Sequence, residues 1–351
     1  MDTLEYKKIL SKAHLEIIEA GYGIKINSIK QQFSGADRNS FIYKVTTSAR
    51  NDLFLKIRTG ELFIPSLYVP YLLSQSIQDH IIEPMKTHDN NLFLRLPEFT
   101  AMVYPYIDGS SARGIRLSTE HWIELGRVLK KIHNYKLPDK MSKIAAMIPA
   151  ESYDDGWRKK LTKIIAELNN KERDSSYTKQ FIFLYEQKSE LIKFMIDRAE
   201  DLLAKTKDSR EENYLCHGDI HAGNMLITRE KYFYVVDWDT LVMAPRERDL
   251  MFFGGGVANT WNKKEETEYF FQGYSDYKTE LSESVNQDLI SYFRFERIII
   301  DLVEYYDQFF ADDFTDTSVP KNYEIEKNRK AILERVSSIF YPQGVVDMAF
   351  Q

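Results

Sequence analysis

The stretch CHGDIHAGN occupies positions 216–224, and the stretch VDWD follows at positions 236–239. The first stretch places Asp219 and Asn224 in a loop with two glycines, and the second supplies Asp237. Two short apolar runs lie between Asn224 and Asp237 and are joined by polar residues, a pattern typical of a β-hairpin. Because a hairpin returns the chain to its starting edge, we expect Asn224 and Asp237 to lie side by side.

These three polar residues are groups that phosphoryl transfer requires. The reaction needs a carboxylate that orients the acceptor hydroxyl and accepts its proton, and oxygen ligands for a magnesium ion that bridges the phosphates. Asp219 suits the first role, and Asn224 and Asp237 suit the second. Each residue alone is more typical of an ordinary turn, but their order, spacing and strand context together favour catalysis.

A cation that holds the polyphosphate is expected from the β-rich part of the chain. Lys56 lies in the run FLKIR, in which its apolar neighbours Leu55 and Ile57 would share one face of a strand. Lys56 would then point the other way, into a cleft. The turn that contains Ser34 and Gly35 joins two predicted strands, and its backbone N–H groups are expected to cover the phosphates.

The pattern of apolar residues divides the chain into a β-rich first third and a mostly helical remainder. We predict helices at 4–20, 66–77, 119–133, 157–168, 181–203, 288–310 and 325–339, and strands at 26–33, 41–47, 53–58, 92–96, 99–107, 214–216, 225–227 and 232–236. The sequence therefore predicts an α+β protein with a small N-terminal nucleotide-binding lobe at 1–107 and a larger helical lobe at 108–351.

The composition is that of an ordinary globular protein. The chain has 351 residues, of which 43% are hydrophobic and 28% are charged, and its formal net charge is −6. This charge argues against a dedicated binder of nucleic acid or anionic membranes and slightly favours cationic partners. The single cysteine, Cys216, excludes an intramolecular disulfide and a cysteine-based zinc cluster. No apolar run reaches the roughly 20 residues of a membrane span, and no secretory signal is evident, so a cytoplasmic location is expected.

The chain resembles the aminoglycoside phosphotransferase family, relatives of the protein kinases whose catalytic loop reads His-x-Asp-x-x-x-x-Asn. The resemblance is carried by the stretches DIHAGN at 219–224, DWD at 237–239, APRERDLMF at 244–252, GGG at 254–256 and WN at 261–262. It implies a bilobal protein-kinase-like fold and phosphotransfer that depends on ATP and Mg²⁺. It also implies that Asp219 is the catalytic base, that Asn224 and Asp237 bind Mg²⁺, and that Lys56 contacts the α and β phosphates.

The resemblance also assigns the adenine site. The segment 102–107, which contains Tyr104 and Tyr106, would be the hinge whose backbone reads adenine. In this family a helix supplies a glutamate that pairs with the lysine, and here the sequence departs from the pattern. Glu61 follows Lys56 too closely, and prolines interrupt the expected helix. The sequence therefore predicts no partner for Lys56.

The segment 301–316 contains several acidic residues but no lysine or arginine. On pattern alone such a segment is a solvated helix face and loop. Beside a kinase cleft, Asp301 and Glu304, one helical turn apart, would bind ammonium groups of a cationic substrate together with Asp239. The resemblance implies that the acceptor is a hydroxyl of an aminoglycoside or aminocyclitol antibiotic, with spectinomycin as the first candidate, and that its phosphorylation confers resistance.

Three alternatives remain at this point. The first keeps the chemistry and replaces the antibiotic by a small metabolic alcohol such as choline, homoserine or a methylthio-sugar. The second is a catalytically inactive nucleotide-binding module, which the complete set of Asp219, Asn224 and Asp237 disfavours. The third is a zinc site at His217 and His221, which the neighbouring glycines disfavour because such a motif needs both histidines on one helix face. We expect His217 to hold the loop by hydrogen bonds instead.

Overall fold

The structure, a computed structural model, describes residues 9–32, 39–77, 79–168, 170–172, 175–210, 212–255, 257, 261–275, 285–311 and 321–340. Side chains are described for all of these except 209, 210 and 321–325. Ser34 and Gly35, which are predicted to cover the phosphates, lie outside the described residues, as do residues 312–316 of the acidic segment.

Helices and strands alternate along the chain in the order that the sequence predicts. The helices are α1 (Lys12–Tyr22), α2 (Pro65–Ser74), α3 (Thr119–His133), α4 (Ser142–Ala145), α5 (Gly156–Leu168), α6 (Ser176–Gln187), α7 (Ser189–Lys205), α8 (Glu247–Leu250), α9 (Lys264–Tyr274), α10 (Gln287–Phe310) and α11 (Lys321–Phe340). The strands are β1 (Ile26–Gln32), β2 (Ser40–Thr47), β3 (Asp52–Arg58), β4 (Leu94–Arg95), β5 (Thr100–Pro105), β6 (Gly109–Ser111), β7 (Tyr214–Cys216), β8 (Met225–Thr228), β9 (Phe233–Val235) and β10 (Val242–Ala244).

The chain forms two compact units, each built from three segments. The first unit contains residues 1–117, 134–149 and 217–242, and the second contains residues 118–133, 150–216 and 243–351. The hairpin of β8 and β9 thus groups with the N-terminal strands, whereas the sequence places it in the helical lobe. The predicted lobes 1–107 and 108–351 stay a prediction.

An antiparallel sheet with the strand order β1-β2-β3-β5-β4 organises the first unit. In β3, Leu55 and Ile57 are buried in a cluster that also contains Ile18 of α1, as their spacing predicts. Lys56 lies on the opposite face, where it is paired with Met102 of β5. The alternation of β3 therefore presents Lys56 on the face of the sheet that α1 does not cover.

The first helix begins later than the sequence predicts. The Ser11 side chain accepts a hydrogen bond from the His14 N–H, and the His14 ring accepts one from the Ser11 N–H, so that a reciprocal cap starts α1 at Lys12. Gly23 ends the helix with a left-handed φ of 63°. Local capping thus decides the start of α1, where apolar spacing alone extends it towards the N-terminus.

The prediction that prolines interrupt the second helix is wrong. Pro65 occupies the first turn of α2, where a missing N–H leaves no helix hydrogen bond unmade, and Pro70 lies inside a helix that continues to Ser74. However, α2 contains no acidic residue. The helix therefore offers no glutamate to Lys56, and the departure from the family pattern that the sequence indicates is real.

The helices of the second unit pack closely. The bounds of α3 are as predicted, and Trp122 and Leu125 lie on its buried face. A Cβ atom added to Gly273 of α9 would lie 1.8 Å from the carbonyl oxygen of Ile123, so the contact between α3 and α9 requires glycine.

The longest helix, α10, packs against α5, α7 and α11. The predicted helix at 181–203 is in fact two helices, because Lys188 between α6 and α7 has a non-helical ψ of 7°. Apolar spacing runs on through this break and conceals it. None of the described helices is long and apolar enough to cross a membrane.

Candidate active site

The loop that follows β7 is fixed by a glycine and a histidine. Gly218 has a φ of 83°, and a Cβ atom at this position would lie 2.2 Å from the carbonyl oxygen of Thr240. The His217 ring is buried; its Nε2 lies 3.1 Å from the Val236 carbonyl oxygen, and its Nδ1 accepts a hydrogen bond from the Asp219 N–H at 3.3 Å. These contacts require the neutral tautomer with the proton on Nε2. His217 thus holds the loop, as predicted.

The carboxylate of Asp219 is oriented by the other side chains of the loop. Asn224 donates from Nδ2 to the Asp219 carbonyl oxygen at 2.9 Å and to its Oδ2 at 3.2 Å. The Nε2 atom of His221 lies 3.5 Å from the same Oδ2, while its Nδ1 accepts from the Gly223 N–H at 2.8 Å. His221 is therefore a component of the loop and not one of a pair of zinc ligands.

The predicted hairpin is confirmed and brings Asn224 beside Asp237. Met225 of β8 is paired with Val235 of β9, and the Val236 N–H donates to the Asn224 carbonyl oxygen at 2.9 Å. A sequence separation thereby becomes a direct contact, and Asp237 follows at the end of the same strand.

Asp237 is held in a strained and electrostatically unfavourable position. Its φ of 67° is left-handed, which is uncommon for a residue other than glycine. One side of the residue is open to solvent, yet the protein atoms around the carboxyl raise its pKa, and the charges of Asp239 and Asp219 raise it further against the opposing effect of Lys56. In the described residues no cation lies within ion-pair distance of Asp237.

Lys56 does have a partner, and it is Asp239. The Lys56 Nζ donates to Asp239 Oδ2 at 3.0 Å, and Arg58 donates from a terminal guanidinium nitrogen to the same oxygen at 3.3 Å. Burial alone would raise the pKa of Asp239, but Lys56, the Ser66 hydroxyl and Arg58 together lower it. The sequence analysis missed Arg58, although its position two residues after Lys56 already predicts the same face of β3.

The segment predicted to read adenine forms the end of β5 and the residues after it. Tyr104 is paired with Phe54 of β3, and burial raises the pKa of its phenol, as do the nearby aspartates. The Tyr106 N–H donates to the Asp52 carbonyl oxygen at 3.2 Å, and its ring lies 4.2 Å from the Lys44 ammonium group. The adenine-binding role of this segment stays a prediction.

Two of the predicted substrate-binding residues belong to the second unit. Asp301 is buried on α10 and accepts a hydrogen bond from Arg297 at 2.8 Å, whereas Glu304 is exposed. Asp239 belongs to the first unit and contacts Lys56 instead. The role of these three carboxylates towards a cationic substrate stays a prediction.

The oxygen atoms of Asn224 and Asp237 fit a magnesium ion. Because Asn224 uses its Nδ2 for both bonds to Asp219, its Oδ1 is left as the ligand atom. Asp237 contributes a carboxylate near two other negative charges, an arrangement that a divalent cation relieves. The donor set is therefore the hard oxygen set that magnesium prefers.

Comparisons with known proteins agree with this geometry. A sequence model described as "Phosphotransferase enzyme family" matches residues 81–283. The crystal structure of spectinomycin phosphotransferase APH(9)-Ia in complex with ADP and spectinomycin is 30% identical, covers 98% of each chain and superposes with a TM-score of 0.81. The AMP-bound complex of APH(9)-Ia is also 30% identical, covers 97% of this chain and 98% of that one, and has a TM-score of 0.79.

The protein StrN of Streptomyces griseus is a more distant relative. It is 24% identical over 200 residues, which are 53% of this chain and 58% of StrN. The chain thus spans a little over half the length of this curated relative.

The likeness to APH(9)-Ia extends over nearly all of the chain. It confirms the α+β class and the protein-kinase-like fold that the sequence predicts, together with the predicted resemblance to spectinomycin phosphotransferase. The chain therefore belongs to the phosphotransferase enzyme family, the family of the aminoglycoside phosphotransferases.

Proposed function

We propose that the protein transfers the γ-phosphoryl group of ATP to a hydroxyl of an aminocyclitol or aminoglycoside antibiotic, with spectinomycin as the first candidate, and that this transfer confers resistance. The observation that carries the proposal is the contact of Asn224 with Asp219 directly beside Asp237. The 30% identity to a spectinomycin phosphotransferase over nearly the whole chain supports the choice of acceptor.

Asp219 is the catalytic base in this proposal. Asn224 and the loop around His217 hold its carboxylate, which accepts the proton of the acceptor hydroxyl as the new oxygen–phosphorus bond forms. The bond between the γ-phosphorus and the bridging oxygen breaks in the same step, and ADP leaves. Since orientation provides most of the catalysis in phosphoryl transfer, the fixed loop matters as much as the carboxylate itself.

Asn224 and Asp237 hold the magnesium ion through their side-chain oxygens. When bound, magnesium neutralises the negative charge that develops on the phosphate oxygens. Lys56 holds the α and β phosphates, and the segment 102–107 contacts adenine. The ADP and AMP in the two APH(9)-Ia structures support a nucleotide in this position.

The cationic groups of the acceptor are bound by carboxylates of the second unit in this proposal. Glu304 is exposed on α10, and Asp301 lies one helical turn before it. Asp301 already accepts a hydrogen bond from Arg297, so Glu304 is the better placed of the two for an ammonium group.

A panel of acceptors tests the proposal. Release of ADP from MgATP is measured with spectinomycin, other aminoglycosides, choline, homoserine and a methylthio-sugar, and the phosphorylated product is identified by mass spectrometry. We expect turnover with an antibiotic and its loss in Asp219→Ala. Turnover with a metabolic alcohol alone would refute the antibiotic acceptor, and absence of any phosphorylated product would refute the transferase.

A further inference from the structure

We propose that Arg58 is a second polyphosphate-binding cation of the nucleotide site and that Asp239 is the positioning residue that holds it beside Lys56. The inference rests on the proposed nucleotide-binding function and extends it to two residues. It also gives Asp239 a role different from the binding of antibiotic that the sequence predicts.

The first argument is the position of the two cations on β3. Lys56 and Arg58 are two residues apart in a regular strand, so both side chains lie on the same face of the sheet. Their partners across the sheet are Met102 and Thr100 of β5, both of which are buried. Each cation is itself only 20% exposed, so neither is an ordinary surface charge.

The second argument is the balance of charge. Both cations contact the same oxygen of Asp239, at 3.0 and 3.3 Å, so one negative charge faces two positive ones. This leaves a partly buried positive charge in the unit that also contains Asp219, Asn224 and Asp237. A nucleotide triphosphate carries about four negative charges, of which one magnesium ion offsets only two. Phosphate oxygens are therefore the ligand that this excess charge favours.

The third argument is the chemistry of the guanidinium group. Arginine presents a planar pair of donors that matches two phosphate oxygens, whereas lysine acts as a point charge. The Nε of Arg58 donates to the carbonyl oxygen of Glu61 at 3.0 Å, which fixes the plane of the group. Arg58 is thus oriented by contacts on two sides before any nucleotide arrives.

The fourth argument concerns Asp239. Because α2 carries no acidic residue, the carboxylate that orients Lys56 comes from the chain segment after β9. The carboxylate remains ionised, since Lys56 and Arg58 hold its pKa low. Asp239 acts through the two cations, and an ammonium group of the acceptor would have to compete with both of them for the same oxygen.

Binding measurements test the role of Arg58. The affinities of MgATP and of adenosine are measured by calorimetry for the wild type, Arg58→Gln and the control Arg95→Gln, which makes the same change at an exposed arginine of β4 in the same sheet. We expect Arg58→Gln to raise the Kd of MgATP about tenfold or more, as for the loss of a charge-assisted hydrogen bond, and to leave the Kd of adenosine unchanged. Arg95→Gln should change neither.

The outcomes separate the two proposals. A wild type that binds neither MgATP nor adenosine would refute the nucleotide site itself. A wild type that binds both, with an unchanged affinity of Arg58→Gln for MgATP, would overturn the role of Arg58 alone, as would an equal loss of both ligands. If Arg58→Gln does not fold, Arg58→Lys is measured instead, and a MgATP affinity equal to that of the wild type overturns the role of the planar donor pair.

Steady-state kinetics test the positioning role of Asp239. In Asp239→Asn both cations keep their charge, so we expect the Kd of MgATP not to rise, while kcat falls about tenfold because the cations are no longer oriented. A higher KM for the acceptor with an unchanged kcat would instead identify Asp239 as an antibiotic ligand and overturn this assignment.

Discussion

Two groups of polar side chains in this molecule make opposite use of burial. The first, the carboxylate cluster, consists of Asp219, Asp237 and Asp239 in the first unit. The second, the histidine cluster, consists of His133, Cys216 and Asp249 in the second unit, and its potential ligand atoms all lie within 4.8 Å of one another. The distances alone would make the histidine cluster the better metal site.

Hydrogen bonding reverses that conclusion. The Nδ1 of His133 lies 2.7 Å from the Tyr274 hydroxyl and its Nε2 lies 3.0 Å from Asp249 Oδ2, while the Cys216 thiol points at two backbone carbonyls, each 3.6 Å away. All three side chains of the cluster are buried. In the carboxylate cluster, by contrast, like charges face one another and raise the pKa of Asp237. Groups with satisfied partners stabilise the fold, and groups whose charges conflict mark the functional site.

The largest effect is expected from the carboxylate cluster. Asp219→Asn keeps the size of the side chain and removes the base, so kcat should fall by about 10²- to 10⁴-fold with little change in the Kd of MgATP. The control is Asp108→Asn, an exposed aspartate of the same unit that pairs with Arg229, and it should retain wild-type kcat. Equal activity of Asp219→Asn and the wild type would remove Asp219 from the reaction.

A stability effect is expected from the histidine cluster. Asp249→Ala leaves the buried Nε2 of His133 without its partner, so the free energy of unfolding should fall by about 3 kcal/mol. The Kd of MgATP should not change for the folded variant. Urea denaturation followed by circular dichroism measures the first quantity and calorimetry the second. If added zinc stabilises the wild type but not Asp249→Ala, the histidine cluster is a metal site after all, and the comparison fails.

A smaller difference is expected between two glycines with the same backbone conformation. Gly218 and Gly60 have φ values of 83° and 81°, but a Cβ atom on Gly60 would have no heavy atom within 4 Å. Both alanine variants should lose about 1 to 2 kcal/mol from backbone strain. Gly218→Ala should lose more than Gly60→Ala, and should also lose kcat, because the Thr240 carbonyl must move. Identical melting temperatures and kcat values for the two variants would contradict the close contact.

The smallest effect is expected at Cys216. Burial raises the pKa of its thiol well above the usual value, so the fraction of reactive thiolate at pH 8 is lower than for an exposed cysteine. We expect iodoacetamide at pH 8 to leave the native protein unlabelled and to label it in urea, as measured by intact mass. Rapid labelling without urea would show that the histidine cluster opens in the native state.

The local parts of the site are predictable from sequence because each depends on neighbouring residues. The alternation of Leu55, Lys56 and Ile57 fixes the face of β3, and the two apolar runs before Asp237 fix the hairpin that brings it to Asn224. The partner of Lys56 could not be predicted, since Asp239 is 183 residues away and only the tertiary fold brings the two together.

Other elements escaped prediction for equally specific reasons. The break at Lys188 lies within a continuous apolar pattern, so periodicity merges α6 with α7. Pro65 fits the first turn of α2, so a residue that usually ends helices begins one here. In both places a single backbone position decides the outcome, and a pattern averaged over a window does not detect it.

The origin of the carboxylate that orients Lys56 bears on how the protein can be regulated. In protein kinases this carboxylate is carried by a helix, and movement of the helix controls activity. Here Asp239 is two residues from Asp237 in the same chain segment, so it cannot be withdrawn without displacing the proposed metal ligand as well. The nucleotide site is thus built without a switch operated by a helix, and the supply of its two substrates governs the rate of an enzyme that is always set to work.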